Sequence, residues 1–138
     1  MKWVEAKALL ESTAASTTKN LYEFLWYRYG CPIELIRDQG GHFLGQVVEN
    51  LTTVYAVVHK CSTPYYPQAN GLAESTNKTL QNILQKIVNE NRTDWDTKLH
   101  SALWAYRTTY KTSIRTTPFQ LAFGLEAVMP IEFQIPNL

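Results

Sequence analysis

An α/β domain is the fold class this sequence predicts, and three observations predict it. Two short apolar runs, Ile33 to Asp38 and Ala56 to Cys61, read as strands. Around them lie segments whose apolar residues recur at the helical period, most clearly from about Asn70 onward. Strands that alternate with helices imply a sheet flanked by helices. The 138 residues amount to one domain, enough chain to bury a sizeable core.

Lys2 to Leu10, "KWVEAKALL", alternates partly and reads as a further strand. Ser16 to Tyr29 reads as a helix with Thr17, Leu21, Phe24, Leu25 and Arg28 on one side; Gly30 and Pro32 stop it. The strand ending at Asp38 is followed by Gln-Gly-Gly, and Gln46 to Tyr55 is helical. Pro64 to Gly71 is a loop. The helix that starts near Asn70 has a stripe of Ala73, Thr76, Leu80, Ile83, Leu84 and Ile87, with Glu74, Lys78, Gln81 and Gln85 on another face. In "TDWD", Thr93 is expected to cap the next helix and Asp96 to reach back as a capping-box acid. That helix carries Trp95, Leu99, Ala102, Leu103 and Tyr106 inward. A short helix follows Pro118, and the tail with its two prolines is extended.

The bulk numbers narrow the function. A net charge of +1 predicts no strongly basic surface and leaves room for a local basic patch. No apolar run is long enough to span a bilayer, and the N-terminus lacks the apolar core of a signal peptide. Cys31 and Cys61 lack CxxC spacing and read as free thiols in a reducing compartment.

Two acids stand out. Asp38 ends a strand before a sharp Gln-Gly-Gly turn, at the carboxyl edge of the sheet, where α/β folds place ligands. Glu74 lies in the opening turn of its helix, on the polar side. Thirty-five residues separate them, enough chain to leave the sheet and return to the same edge. Converging carboxylates repel each other, and a hard divalent cation with oxygen ligands removes the conflict. Two such ions roughly 3.5–4 Å apart can activate an attacking oxygen and stabilise a leaving one. The residues alone leave a second account open: Glu74 also suits the positive end of a helix dipole and an i+4 pair with Lys78.

"DQGGHF" followed at this distance by "STPYYPQANGLAESTNKTL" resembles the catalytic core of retroviral and retrotransposon integrases, closest to the plant-like gypsy class of LTR retrotransposons. "KWVEAKAL", "DWDTKLHSALWAYRTT" and "TPFQLAFGLEAVMPIE" are similar to further segments of that family, so the resemblance covers nearly the whole chain. It implies an RNase H-like mixed sheet flanked by helices, with a partial core over residues 1–124 and an extended tail over 125–138. It implies DNA integration: metal-dependent 3′-end processing, then strand transfer into target DNA by a D,D-x35-E mechanism. Asp38 matches the second acid and Glu74 the third, as catalytic residues and ligands of Mg2+ or Mn2+. Tyr65, Asn70 and Lys78 match positions that contact DNA. The implied partners are element-end and target DNA and a homodimer or higher integrase oligomer, with no membrane; the implied location is nuclear or cytoplasmic.

The match also has departures. Counting back from Lys2-Trp3, the family's first aspartate would precede residue 1, and no residue present replaces it. The expectation is therefore a truncated or degenerate core that lacks its first central strand, is inactive or weakly active, and is marginally stable or aggregation-prone in isolation. The alternative is a non-catalytic, integrase-derived nucleic-acid-binding or protein-interaction module. A cellular RNase H-type nuclease fits less well, because "PYYPQANGLAESTNK" resembles integrases specifically. Arg37 stands where the family usually has Ser or Thr, Tyr66 replaces a common His, and Ala56 a frequent Gly. Trp104, Tyr106 and Tyr110 read as core, with a dimer face as the alternative.

Overall fold

The computed structural model describes residues 3–39, 46–63 and 70–129. In chain order the elements are α1 (Ala14–Lys19), a π-helical segment (Asn20–Trp26), α2 (Tyr27–Tyr29), β1 (Glu34–Arg37), α3 (Gln46–Val54), β2 (Val58–Cys61), α4 (Gly71–Ile87), α5 (Trp95–Thr108) and α6 (Pro118–Phe123). The chain forms two compact units, Lys7–Asn77 and Met1–Ala6 with Lys78–Leu138.

In the Lys7–Asn77 unit, β1 and β2 pair in parallel, with Leu35 opposite His59 and Arg37 opposite Cys61. Leu21, Trp26, Val48 and Val57 form the buried core, and Leu25, Leu35 and Leu51 pack against it. The first helix begins at Ala14, two residues before the sequence expectation, because Thr13 and Ser16 form a capping box. It then widens into the π-helical segment, where bonds run i→i+5. That register explains a residue the 3.6-period reading missed. Leu21 and Trp26, five apart, are both buried, whereas Arg28 is exposed and lies over the rings of Phe24 and Tyr29.

Helix α3 ends in a Schellman arrangement. The Val57 amide donates to the Thr52 carbonyl at 2.8 Å and the Ala56 amide to the Thr53 carbonyl at 3.1 Å. Ala56 consequently has φ of 53°, a left-handed conformation that glycine adopts more cheaply. The expected helix to Tyr55 and strand from Ala56 each lose a residue or two to this turn.

In the other unit, Val4, Leu80, Leu99, Ala102, Leu103 and Tyr106 form the core, with Ala6, Ile83 and Leu84 packed against it. The expected strand over Lys2 to Leu10 is not formed: residues 3–9 have no regular structure and pair with no strand among the described residues. A ladder needs a partner for its backbone groups. Here the Val4 carbonyl instead accepts from Arg107 of α5, at 2.6 Å and 3.1 Å.

The expected cap of α5 also fails. Asp94, not Thr93, is the N-cap residue, and its side chain caps nothing in the helix. Its carboxylate accepts from the Asn89 amide at 2.9 Å, while Asn89 exchanges two 3.0 Å side-chain bonds with Thr93. These polar residues close the connection after α4 rather than cap α5. Of the two predicted apolar stripes, Leu80, Leu99, Ala102, Leu103 and Tyr106 are buried; Ala73, Ile87 and Trp95, toward helix ends, are exposed. Tyr106 is core as expected, but Trp104 and Tyr110 are exposed. Trp104 packs edge-on against Phe119 of α6. That helix is capped by Thr117 and stopped by Gly124 at φ 72°. No regular element follows over residues 125–129; the rest of the expected tail lies outside the described residues.

Candidate metal and nucleic-acid site

Asp38 is the residue directly after β1, and it is exposed. Because β1 and β2 run in parallel, their carboxyl ends lie side by side, with Arg37 opposite Cys61. The Ser62 amide donates to the Arg37 carbonyl at 2.8 Å and extends the ladder by one bond.

Arg37 is buried, which is costly for a cation unless its donors are satisfied. Its Nε donates to His59 Nε2 at 2.9 Å, and Nη1 donates to the Asp38 carbonyl at 2.8 Å and to Cys61 Sγ at 3.3 Å. His59 must therefore be neutral, with its proton on Nδ1. Burial, and secondly the Arg37 cation, hold its pKa below the usual imidazole value, with Glu49 pulling the other way. Sequence reasoning singled out Arg37 as a departure but missed this cluster. The available signal was the two-residue spacing of His59 and Cys61, which puts both on one face of a strand.

Glu74 lies in the first turn of α4, where an acid is favoured by the helix dipole. It is exposed, as are Lys78, Gln81 and Gln85, so the predicted polar face is realised. Asn70 immediately precedes the helix and is half-buried. Tyr65 lies outside the described residues. Asp38 and Glu74 belong to the same compact unit.

The donor chemistry suits a hard divalent cation. Asp38 and Glu74 are exposed residues with carboxylate oxygens, the ligand type Mg2+ and Mn2+ take alongside water or phosphate. The softer donors nearby, His59 and Cys61, are instead engaged by Arg37. Among the described residues, no three His, Cys, Asp or Glu side chains gather where they could hold an ion.

No family model matches the chain. Among curated proteins it is 32% identical over 137 residues to the Pol polyprotein of radiation murine leukemia virus, covering 99% of this chain and 23% of that one. It is 24% identical over 132 residues to the retrovirus-related Pol polyprotein from transposon 412 of Drosophila melanogaster, covering 96% of this chain and 11% of that one. The chain thus spans less than a quarter of these relatives. Among solved structures it resembles a chain of the simian T-cell lymphotropic virus intasome in complex with PP2A regulatory subunit B56 gamma. There the TM-score is 0.75 and the identity 26%, over 97% of this chain and 47% of that one. The catalytic core domain of BIV integrase gives a TM-score of 0.69 at 24% identity, over 87% and 77%. The HTLV-2 integrase catalytic core domain in complex with magnesium, in its trimeric form, gives 0.63 at 23%, over 80% and 70%. The chain is homologous to part of the Pol polyproteins of retroviruses and retrotransposons, and its fold is the RNase H-like fold of integrase catalytic cores.

Proposed function

We propose that this chain is the catalytic-core portion of a gypsy-class retrotransposon integrase that works on DNA inside the cell, its core over residues 1–124 and an extended tail over 125–138. The observation that carries this is the placement of two acids with family spacing. Asp38 stands at the carboxyl end of a strand and Glu74 in the first turn of a helix, both exposed, in a chain with the integrase-core fold.

Asp38 and Glu74 would hold Mg2+ or Mn2+. When bound, such an ion supplies activation of an attacking oxygen and neutralisation of developing phosphate charge. The protein's own side chains do the rest. Lys78, one turn beyond Glu74 on the exposed face of α4, sets a cation where the DNA backbone would lie. Asn70, at the helix entry, offers an amide to a phosphate or base edge, and Tyr65, five residues earlier in the sequence, offers a ring or hydroxyl. The reaction class is 3′-end processing and strand transfer by a homodimer or larger integrase assembly; with only two of the family's three acids among these 138 residues, the chain on its own would be inactive or weakly active in it. The HTLV-2 core with magnesium and the simian intasome support the metal and the assembly by kinship.

The test is metal uptake and DNA binding by the 138-residue chain. Mn2+ binding that is lost in Asp38→Asn and in Glu74→Gln supports the site. Binding unchanged by both removes these residues from it. DNA binding that persists with no metal uptake would favour the non-catalytic module instead.

A further inference from the structure

We propose that Arg37 is a positioning residue, which pins the backbone of Asp38 at the end of β1 and so sets where its carboxylate meets a divalent cation. This rests on Asp38 being a metal ligand. The ladder between β1 and β2 closes with the Ser62 amide on the Arg37 carbonyl, and neither strand continues beyond it. The next carbonyl, that of Asp38, accepts from Arg37 Nη1 at 2.8 Å. Fixing that carbonyl fixes the peptide plane that follows Asp38, and with it the direction in which the side chain leaves the strand.

The guanidinium is itself held from the neighbouring strand. His59 Nε2 accepts from Nε at 2.9 Å and Cys61 Sγ from Nη1 at 3.3 Å. His59 and Cys61 both belong to β2, so the fork ties the end of one strand to the other. The residue is only 9% exposed, which makes it a built part of the sheet edge rather than a solvated charge. These contacts require a planar fork with several directed N–H groups. A lysine ammonium at the same position keeps the charge but not the geometry. Outer groups that orient metal ligands tune affinity by about 10–100-fold when they are lost.

The experiment compares Mn2+ affinity of the full chain with that of Arg37→Ala, Arg37→Lys, His59→Ala, Asp38→Asn and Glu74→Gln, each checked for native circular dichroism. Amide hydrogen exchange at Ser62 is measured in parallel as a metal-independent readout. The expected result is about tenfold weaker binding in both Arg37 variants, with no rescue by lysine, and a few-fold loss in His59→Ala. Ser62 exchange should be faster in all three. If Arg37→Ala does not fold, Arg37→Lys and His59→Ala decide. Wild-type affinity in those two, or unchanged Ser62 exchange, overturns the positioning role while the metal site stands. Mn2+ binding that is absent, or unchanged in Asp38→Asn and Glu74→Gln, overturns the metal site and the positioning role with it.

Discussion

Arg107 reaches back 103 residues to Val4, donating Nε and Nη2 to one backbone carbonyl at 3.1 and 2.6 Å. The same guanidinium pairs with Glu5 at 2.8 Å, with both side chains largely buried, and lies 4.2 Å from the centre of the Trp3 ring. One side chain of α5 thus holds residues 3–5, which pair with no strand among the described residues. Removing it takes the cation from the Glu5 carboxylate, which keeps the Trp3 Nε1 donor at 3.0 Å, and both Arg107 donors from the Val4 carbonyl. Arg107→Ala should therefore destabilise the chain by about 3 kcal/mol. Urea denaturation followed by tryptophan fluorescence checks this; a loss below about 1 kcal/mol would contradict the anchoring role.

Ala56 offers the opposite change. Its φ of 53° is dictated by the turn after α3, where a Cβ is strained. Ala56→Gly should stabilise the chain by about 0.5–1 kcal/mol, the strain relief exceeding the added flexibility of the unfolded chain. A shift of the denaturation midpoint to lower urea would count against it.

His59 makes stability depend on pH. Its folded pKa lies below 6.5, first through burial and then through Arg37, so the unfolded chain takes up its proton at higher pH than the folded one. In that window the unfolded state binds more protons, and stability rises with pH. Stability is complete above about 6.5 and falls as pH drops below it. His59→Gln should remove this part of the slope in denaturation midpoints collected between pH 7.5 and 5.

Lys78 should contribute one phosphate contact. Lys78→Ala should weaken DNA binding about equally across sequences and reduce the slope of log affinity against log salt by about 0.9. Fluorescence anisotropy at several salt concentrations reads both. A sequence-dependent loss with an unchanged slope would assign Lys78 a different role.

The sequence by itself determined the helical elements, the two paired strands to within a residue or two, and the acids at strand end and helix start. These are local properties: periodicity, stop residues and spacing survive without knowledge of neighbours. It also carried the family resemblance, through Asp38, Glu74 and the stretch between them. Only the tertiary structure decided which backbone groups meet. Residues 3–9 look like a strand by alternation but join no strand among the described residues, because a ladder needs two segments, and the Val4 carbonyl accepts from Arg107 instead. Trp26 is buried because a π-helical register, not a 3.6-residue one, sets its face. On paper Arg37 is only a departure from the family's usual Ser or Thr. It becomes the tie between two strands only when parallel pairing brings His59 and Cys61 alongside it, since a buried cation stays where its donors are satisfied.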